Sequence, residues 1–359
     1  MIKPFLLAVA VLFGTSAFAQ SPKERALSKA QEGIRLVDEG KIADSIKALQ
    51  EAVALEPDNY AYAYELAYTH YQGKLYPEAI KHLDALRSRK EVTDKAYQLL
   101  GNAYDLTGDA KKAVTTYEEG LRKFPVSGCL YLELGNIQLG LKEYDKALTY
   151  YEKGIETTPK YPSNYYRAAK LYLASNNELW GLIYGELFMN LERNSARTAE
   201  MSKLLYDTYK SEITFSAADS SVSGSFASNV IDVSKLGKGK TLKLPFSIPF
   251  ESAMAVAAAP EHAINLRSLD KIRTRFVNTY YAMDLPAKYP NILFEYERAI
   301  AKAGHAEAYN HWILMKGDEN GFDQWMLVNK YQWGEFVTWF KANPLAVDAK
   351  RKFYRAQYD

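Results

Sequence analysis

The sequence has little of what usually betrays a chemistry. One cysteine, Cys129, stands in 359 residues, so no internal disulfide forms and stability must come from a packed core. The histidines number five, and of the neighbouring pair His305 and His311 only His311 has a potential co-ligand, Glu307, at the four-residue spacing that brings two side chains together on a helix. A lone pair is not a metal site. Excess charge of one sign is missing too: 45 Lys and Arg face 43 Asp and Glu, which argues against a nucleic-acid footprint. After the first twenty residues no stretch reaches the roughly 18 apolar residues that a membrane-crossing helix needs.

Motif-like stretches fail on inspection. Gly239-Lys240-Thr241 imitates a phosphate-binding loop, but Ser234 stands where its first glycine should be, and Pro245 and Pro249 follow where a helix should open. "GDENGFD" at 317–323 has its glycine fourth instead of sixth for a calcium loop and ends on Asn329 instead of Glu, so it reads as a helix-to-helix turn with Asp323 as N-cap. Cys129 has no adjacent histidine, and no serine sits in a nucleophile elbow. No catalytic residue, metal or cofactor is assigned, and the expectation is a protein that is not an enzyme.

What is present begins with "MIKPFLLAVAVLFGTSAFAQ": Lys3, an apolar run from Phe5 to Phe13, and Ala17-Phe18-Ala19. This pattern predicts a secretory leader, residues 1–19, removed after Ala19. The absence of a cysteine at that junction excludes lipid anchoring by the lipoprotein route. Loss of Lys3 takes the formal charge from +2 to +1, and export without disulfides fits a bacterial periplasm.

Beyond the leader the chain repeats itself. With Gly101 at position 8 of a 34-residue frame, Leu100, Tyr104, Gly108, Ala113, Tyr117 and Pro125 fall at 7, 11, 15, 20, 24 and 32. One frame downstream gives Leu134, Gly135, Ala147, Tyr151 and Pro159; two frames upstream give Gly33, Leu36, Ser45, Leu49, Ala52 and Pro57. The unit between shows Leu66, Ala67, Ala79 and Leu83, and a degenerate fifth keeps Tyr165, Ala168, Ala169 and Tyr172. Tyr97, Tyr131 and Tyr165 recur at one frame position.

This pattern resembles the tetratricopeptide repeat family over residues 26–195, in five units: 26–59, 60–93, 94–127, 128–161 and 162–195. The resemblance implies a mainly α fold, a right-handed α-solenoid of antiparallel helix pairs A and B that cross at small residues, with prolines stopping the second helix. It also implies a concave groove lined by positions 2, 5, 6, 9 and 12 of each helix A. Those positions supply the candidate partner-binding residues Tyr64, Tyr68 and Tyr71; Lys95, Gln98, Asn102 and Asp105; Leu132 and Asn136; and Tyr166, Arg167 and Lys170. A polar groove with tyrosine steps suits a peptide or protein partner. The family's carboxylate clamp is not matched: Gln98, Asn102, Glu133, Ser163 and Arg167 occupy its places, and Glu133 would repel a carboxylate.

Residues 196–212 read as a capping helix with Met201, Leu204, Leu205 and Tyr209 on one face. Residues 213–260 turn rich in Ser, Gly and Val, and alternating runs at Phe226–Val233 and Leu242–Phe250 predict a small β-hairpin or mobile insertion around Gly237-Lys238-Gly239. From 261 to 359 helical stripes return, at Leu269, Ile272, Phe276 and Tyr280; Ile292, Leu293, Tyr296 and Ile300; Tyr309, Trp312, Ile313 and Met315; and Trp333, Phe336, Val337 and Phe340. The tryptophans Trp312, Trp325, Trp333 and Trp339 gather here. They belong to a core, or, in the alternative reading, to a site for envelope carbohydrate or polymer; that alternative requires a cleft in which tryptophans flank Glu295 or Glu297. The leading expectation is an exported scaffold or adaptor that binds a protein segment, with no nucleic-acid partner and no membrane span after leader removal.

Overall fold

The computed structural model describes residues 21–215, 222–228 and 244–358. The leader and the segment around Gly237-Lys238-Gly239 lie outside the described residues. The described part is helical, with sixteen α-helices and one two-stranded ribbon, and the chain divides into two compact units, Met1–Ala113 and Val114–Asp359.

The first unit holds α1 (Pro22–Asp38), α2 (Ile42–Leu55), α3 (Tyr60–Gln72), α4 (Tyr76–Leu86), α5 (Asp94–Leu106) and the start of α6 (Ala110–Lys123). Ser21 opens α1 through a capping box: its hydroxyl accepts from Glu24 N at 3.2 Å, and the Glu24 carboxylate accepts from Ser21 N at 2.8 Å. The first helix ends in the same way in each of the first four pairs. Gly40 (φ +76°), Lys74 (+59°), Gly108 (+86°) and Lys142 (+62°) stand 34 residues apart in the left-handed region. Around each, an amide reaches back to the carbonyl five residues earlier: Lys41 to Leu36 at 2.8 Å, and Leu75 to His70, Asp109 to Tyr104 and Glu143 to Gln138 at 2.9 Å. This is the six-to-one bond that closes a helix over a left-handed residue. The 34-residue period is thus a period of backbone conformation, kept even where lysine replaces glycine.

The second unit continues the pairs with α7 (Gly128–Gly140), α8 (Tyr144–Thr157), α9 (Pro162–Leu173) and α10 (Glu178–Leu191). Helices cross closely where side chains vanish. An ideal Cβ on Gly135 would lie 2.3 Å from Tyr151 Cε1, and one on Gly33 in the first unit 2.5 Å from Leu49 Cγ, so the frame's small residues are where the partner helix enters. Every residue from Leu179 to Asn190 of α10 is buried.

α11 (Ala196–Glu212) packs on α9 and α10, and also against α15, which makes it an internal element. A short ribbon follows, β1 (Ile213–Phe215) antiparallel to β2 (Val222–Gly224), with Thr214 opposite Ser223. The hairpin therefore precedes the runs expected to form it. Phe226–Ser228 is irregular, residues 229–243 lie outside the described residues, and Ser247–Ala258, which includes the end of the second run, is helix α12. The alternation at Leu242–Phe250 misleads because Pro249 sits in a first helical turn, where its missing N–H costs nothing, and an alanine-rich stretch then propagates the helix.

α13 (Leu266–Ala282), α14 (Ile292–Lys302), α15 (Ala306–Leu314) and α16 (Glu319–Ala342) complete the unit. The expected stripes on α13 and α14 are buried throughout, whereas Met315, Trp333 and Val337 are half-buried. Asp318, not Asp323, caps α16, accepting from Gly321 N at 2.9 Å; Asp323 is exposed a turn inside the helix. The tail returns to the core, where Phe353 and Tyr358 meet Phe246, and Arg355 pairs with Glu152 at 3.1 Å.

Candidate functional site

In the first unit, packing consumes one side of each A helix and leaves the other. Asn59 starts α3, its Oδ1 accepting from Ala61 N at 3.1 Å and from Tyr62 N at 3.4 Å. Leu66 and Ala67, letters of the frame, are buried, as is Tyr62. Tyr64, Tyr68 and Tyr71, at i, i+4 and i+7, form a half-buried stripe. Tyr64 stacks on Tyr60 with ring centroids 6.2 Å apart, Tyr71 meets Tyr76 edge-on at 5.6 Å, and the Tyr68 hydroxyl accepts from Gln72.

α3 touches both α1 and α5. On α5, Lys95 and Asp105 are exposed and Gln98 and Asn102 half-buried, and Lys95 Nζ donates to Gln98 Oε1 at 3.2 Å. The same frame positions on α1 hold Leu27, 50% exposed, and Ile34, 39% exposed. Glu65 also falls at a groove position; burial, and then the negative Asp38, push its carboxyl above the usual range. Leu27, Ile34 and Glu65 were legible from the frame but were not among the expected contacts. The result is a face of tyrosine rings with exposed aliphatics, amides and a destabilised carboxylate.

In the second unit several expected contacts are spent internally. Leu132 is 8% exposed and belongs to the core. Asn136 donates to Glu133 Oε2 at 2.9 Å and accepts from Tyr151 Oη at 3.0 Å. Tyr166 is buried against Phe188, and its hydroxyl donates to Glu200; Lys170 pairs with Glu200 at 2.6 Å. Glu200 belongs to α11, so the helix after the last pair covers part of the face that the frame would leave open. Arg167 remains half-buried.

Charge is concentrated in a buried cluster that no local pattern announces. Arg273 of α13 uses all five of its N–H donors: Nε to Asn310 Oδ1 at 2.9 Å, Nη1 to Glu186 Oε2 at 2.8 Å and Tyr209 Oη at 3.2 Å, Nη2 to Glu186 Oε1 at 2.5 Å and Glu297 Oε1 at 2.7 Å. Tyr309 Oη also donates to Glu186, at 2.9 Å. Burial would raise the Glu186 carboxyl, but the charge and hydrogen bonds of Arg273 outweigh it and hold it low. Burial, and then the charge of Glu186, push Glu297 well above the usual range. Two carboxyl groups and one guanidinium, bonded to one another, thus join α10, α13 and α14. This is an interlock with no access for a substrate.

The tryptophans pack. Trp312 is 4% exposed and lies against Phe340 at 4.9 Å, Trp325 stacks on His311 at 4.3 Å, Trp333 meets Phe336, and Trp339 stacks on Tyr296. Glu297 is inside the cluster, and Glu295 pairs with Arg351 at 3.1 Å. With the tryptophans engaged in ring packing and Glu297 buried, the carbohydrate reading loses its motive. His70 and His82 stack at 5.0 Å, with burial and then His70 lowering His82; Cys129 is buried. Among the described residues no three His, Cys, Asp or Glu side chains are placed to share a metal ion, and no helix is long and apolar enough to cross a membrane.

These features define an α-helical repeat protein with a helical C-terminal extension. Residues 31–91 and 99–162 match the profile of the tetratricopeptide repeat family, so this part of the chain is a tetratricopeptide repeat array. Solved structures similar to it include MamA (21% identity, 47% of this chain and 92% of that one, TM-score 0.37), the tetratricopeptide protein TTC0263 of Thermus thermophilus (19%, 50% and 98%, 0.42) and PilF of Pseudomonas aeruginosa (18%, 52% and 86%, 0.43). No curated protein matches the chain. Tetratricopeptide arrays are protein-interaction modules that bind along an extended surface.

Proposed function

We propose that this chain is an exported, non-enzymatic scaffold or adaptor that holds a peptide or protein segment against the A-helix face of its N-terminal unit, in envelope assembly or secretion. The observation that carries the reading is the stripe Tyr64, Tyr68 and Tyr71: three half-buried rings at i, i+4 and i+7 along one side of α3. Tyrosine gives large contact area at small entropic cost, and the amides of Gln98 and Asn102 on the neighbouring helix suit backbone groups of an extended peptide. Export rests on the leader pattern of residues 1–19.

The test is the double variant Tyr64→Ala, Tyr68→Ala. Partner capture from native cells falls at least about tenfold, since two anchor rings are worth about 2 kcal/mol or more together, while helix content and melting stay as in the parent. Undiminished capture by a folded double variant overturns the assignment. Mass spectrometry of protein from the envelope fraction finds Gln20 as the first residue; a chain retaining Met1 there would contradict export.

A further inference from the structure

A cleft of about 620 Å³ opens among α13, α15 and α16, lined in part by Arg267, Asp270, Glu307, His311, Asp318 and Trp325. Its volume is that of a small-molecule site, and its chemistry is lopsided. His311 is 3% exposed. Its Nδ1 lies 2.8 Å from the Glu307 carbonyl oxygen, which can only accept, so Nδ1 carries the proton. Among the described residues Nε2 finds no hydrogen-bond partner, and in the neutral ring it is a bare lone pair. Asp270 Oδ1 accepts from Asn310 Nδ2 at 2.9 Å, while Oδ2 accepts from none of the described residues. The Glu307 carboxylate takes Trp325 Nε1 at 2.8 Å and Gln332 Nε2 at 3.3 Å, and Asp318 is the N-cap of α16. Three carboxyl groups and the unpartnered ring nitrogen of His311 thus line the cleft, and the one Lys or Arg among the lining residues is the exposed Arg267.

The ligand that fits is a donor with positive charge and several N–H groups. These acceptors are not placed for three of them to share a single metal ion, so they suit an extended organic cation. A sugar is served poorly, because Trp325 offers no free ring: His311 lies nearly parallel at 4.3 Å, 21° between planes, and Trp333 presses edge-on at 6.2 Å. Apolar wall is present nevertheless in Leu266 and in Val328, the latter 83% exposed. We propose that this cleft binds a primary ammonium or guanidinium group on an aliphatic stem, held by Asp270, Glu307 and His311, with the stem along Leu266 and Val328. The same chemistry comes from a basic side chain of a protein partner or from a free polyamine. The site lies outside the repeats and does not depend on the tyrosine face.

Isothermal titration of the full chain with spermidine and with a blocked lysyl-arginine dipeptide tests this, against fully acetylated spermidine and a blocked alanine dipeptide. At least one cationic probe saturates and neither neutral probe does; tighter spermidine identifies a polyamine site, and tighter dipeptide a partner's side chain. Asp270→Asn weakens the cation about tenfold by removing a charge-assisted bond. Val328→Lys does the same by placing a like charge in the cleft, and because Val328 is exposed this variant folds even if Asp270→Asn does not. No saturation by either cation, equal heats from acetylated probes, unchanged affinity in Val328→Lys, or binding of cellotriose in their place overturns the proposal.

Discussion

Replacing Arg273 by Met removes the one positive charge of a cluster whose two carboxyl groups, Glu186 and Glu297, are 3% and 8% exposed. The methionine fills much of the space of the arginine stem but satisfies none of the bonds to Glu186, Glu297, Asn310 and Tyr209. Breaking a buried pair by deleting one partner costs about 3–5 kcal/mol, because the remaining charge has neither water nor counter-ion. For a domain of this size that corresponds to a fall in Tm of roughly 6–20 °C. The assay is convenient, since all five tryptophans, Trp180, Trp312, Trp325, Trp333 and Trp339, lie in the unit from Val114 onward, so thermal unfolding followed by tryptophan fluorescence reports that unit alone. The triple variant Glu186→Gln, Arg273→Met, Glu297→Gln has no charge left in the cluster and recovers more than half of the loss, as neutral replacements of buried ion clusters do. A fall below about 2 °C in Arg273→Met, or a triple variant no better than the single, would refute the view that charge closure holds these helices together.

Further outcomes follow from the same geometry. Gly135→Ala drives a methyl into the fully buried Tyr151 ring and lowers stability by roughly 1–3 kcal/mol in the same fluorescence melt; a neutral result would contradict the close crossing of α7 and α8. Lys142→Gly relieves a left-handed lysine at φ +62° and raises stability by about 0.5–1 kcal/mol, whereas a loss would mean that the turn is not strained. Stability also depends on pH in two windows of opposite sign. Glu297, with its folded pKa raised by burial and Glu186, contributes stability that is complete below its unfolded value and lost as pH rises through its folded one. Glu186, held low by Arg273 against burial, contributes stability that is present above its unfolded value and disappears as pH falls through its folded one. Tm measured upward from the ordinary carboxyl range therefore declines less steeply in Glu297→Gln than in the parent, and identical slopes would count against a raised Glu297.

The repeat was legible because its cause is local and periodic: small residues at the helix crossings and a left-handed turn in each of the first four pairs recur every 34 positions. Lys74 and Lys142 hide that turn from a search for glycine, although they occupy Gly108's place in the frame. The tyrosine stripe of α3 was readable for the same reason. Leu132 and Tyr166 are buried and Lys170 is paired because their neighbours arrive from outside the frame, through core packing and Glu200 of α11. The Arg273 cluster was invisible, since Arg273 and Tyr309 come to Glu186 from 87 and 123 residues away, and no spacing rule reaches that far. α12 was missed because alternation over a few residues does not distinguish a short strand from a buried helix that opens with proline.

The central claim is that the side of α3 bearing Tyr64, Tyr68 and Tyr71 faces a protein partner. A photoreactive phenylalanine analogue in place of Tyr68, activated in the native cell, tests it most directly, with the same group at the exposed Lys47 of α2 as control. The prediction is a discrete protein adduct from position 68, lost when Tyr64 is changed to Ala, and none from position 47. The same adducts from both positions, or none from position 68, would contradict it.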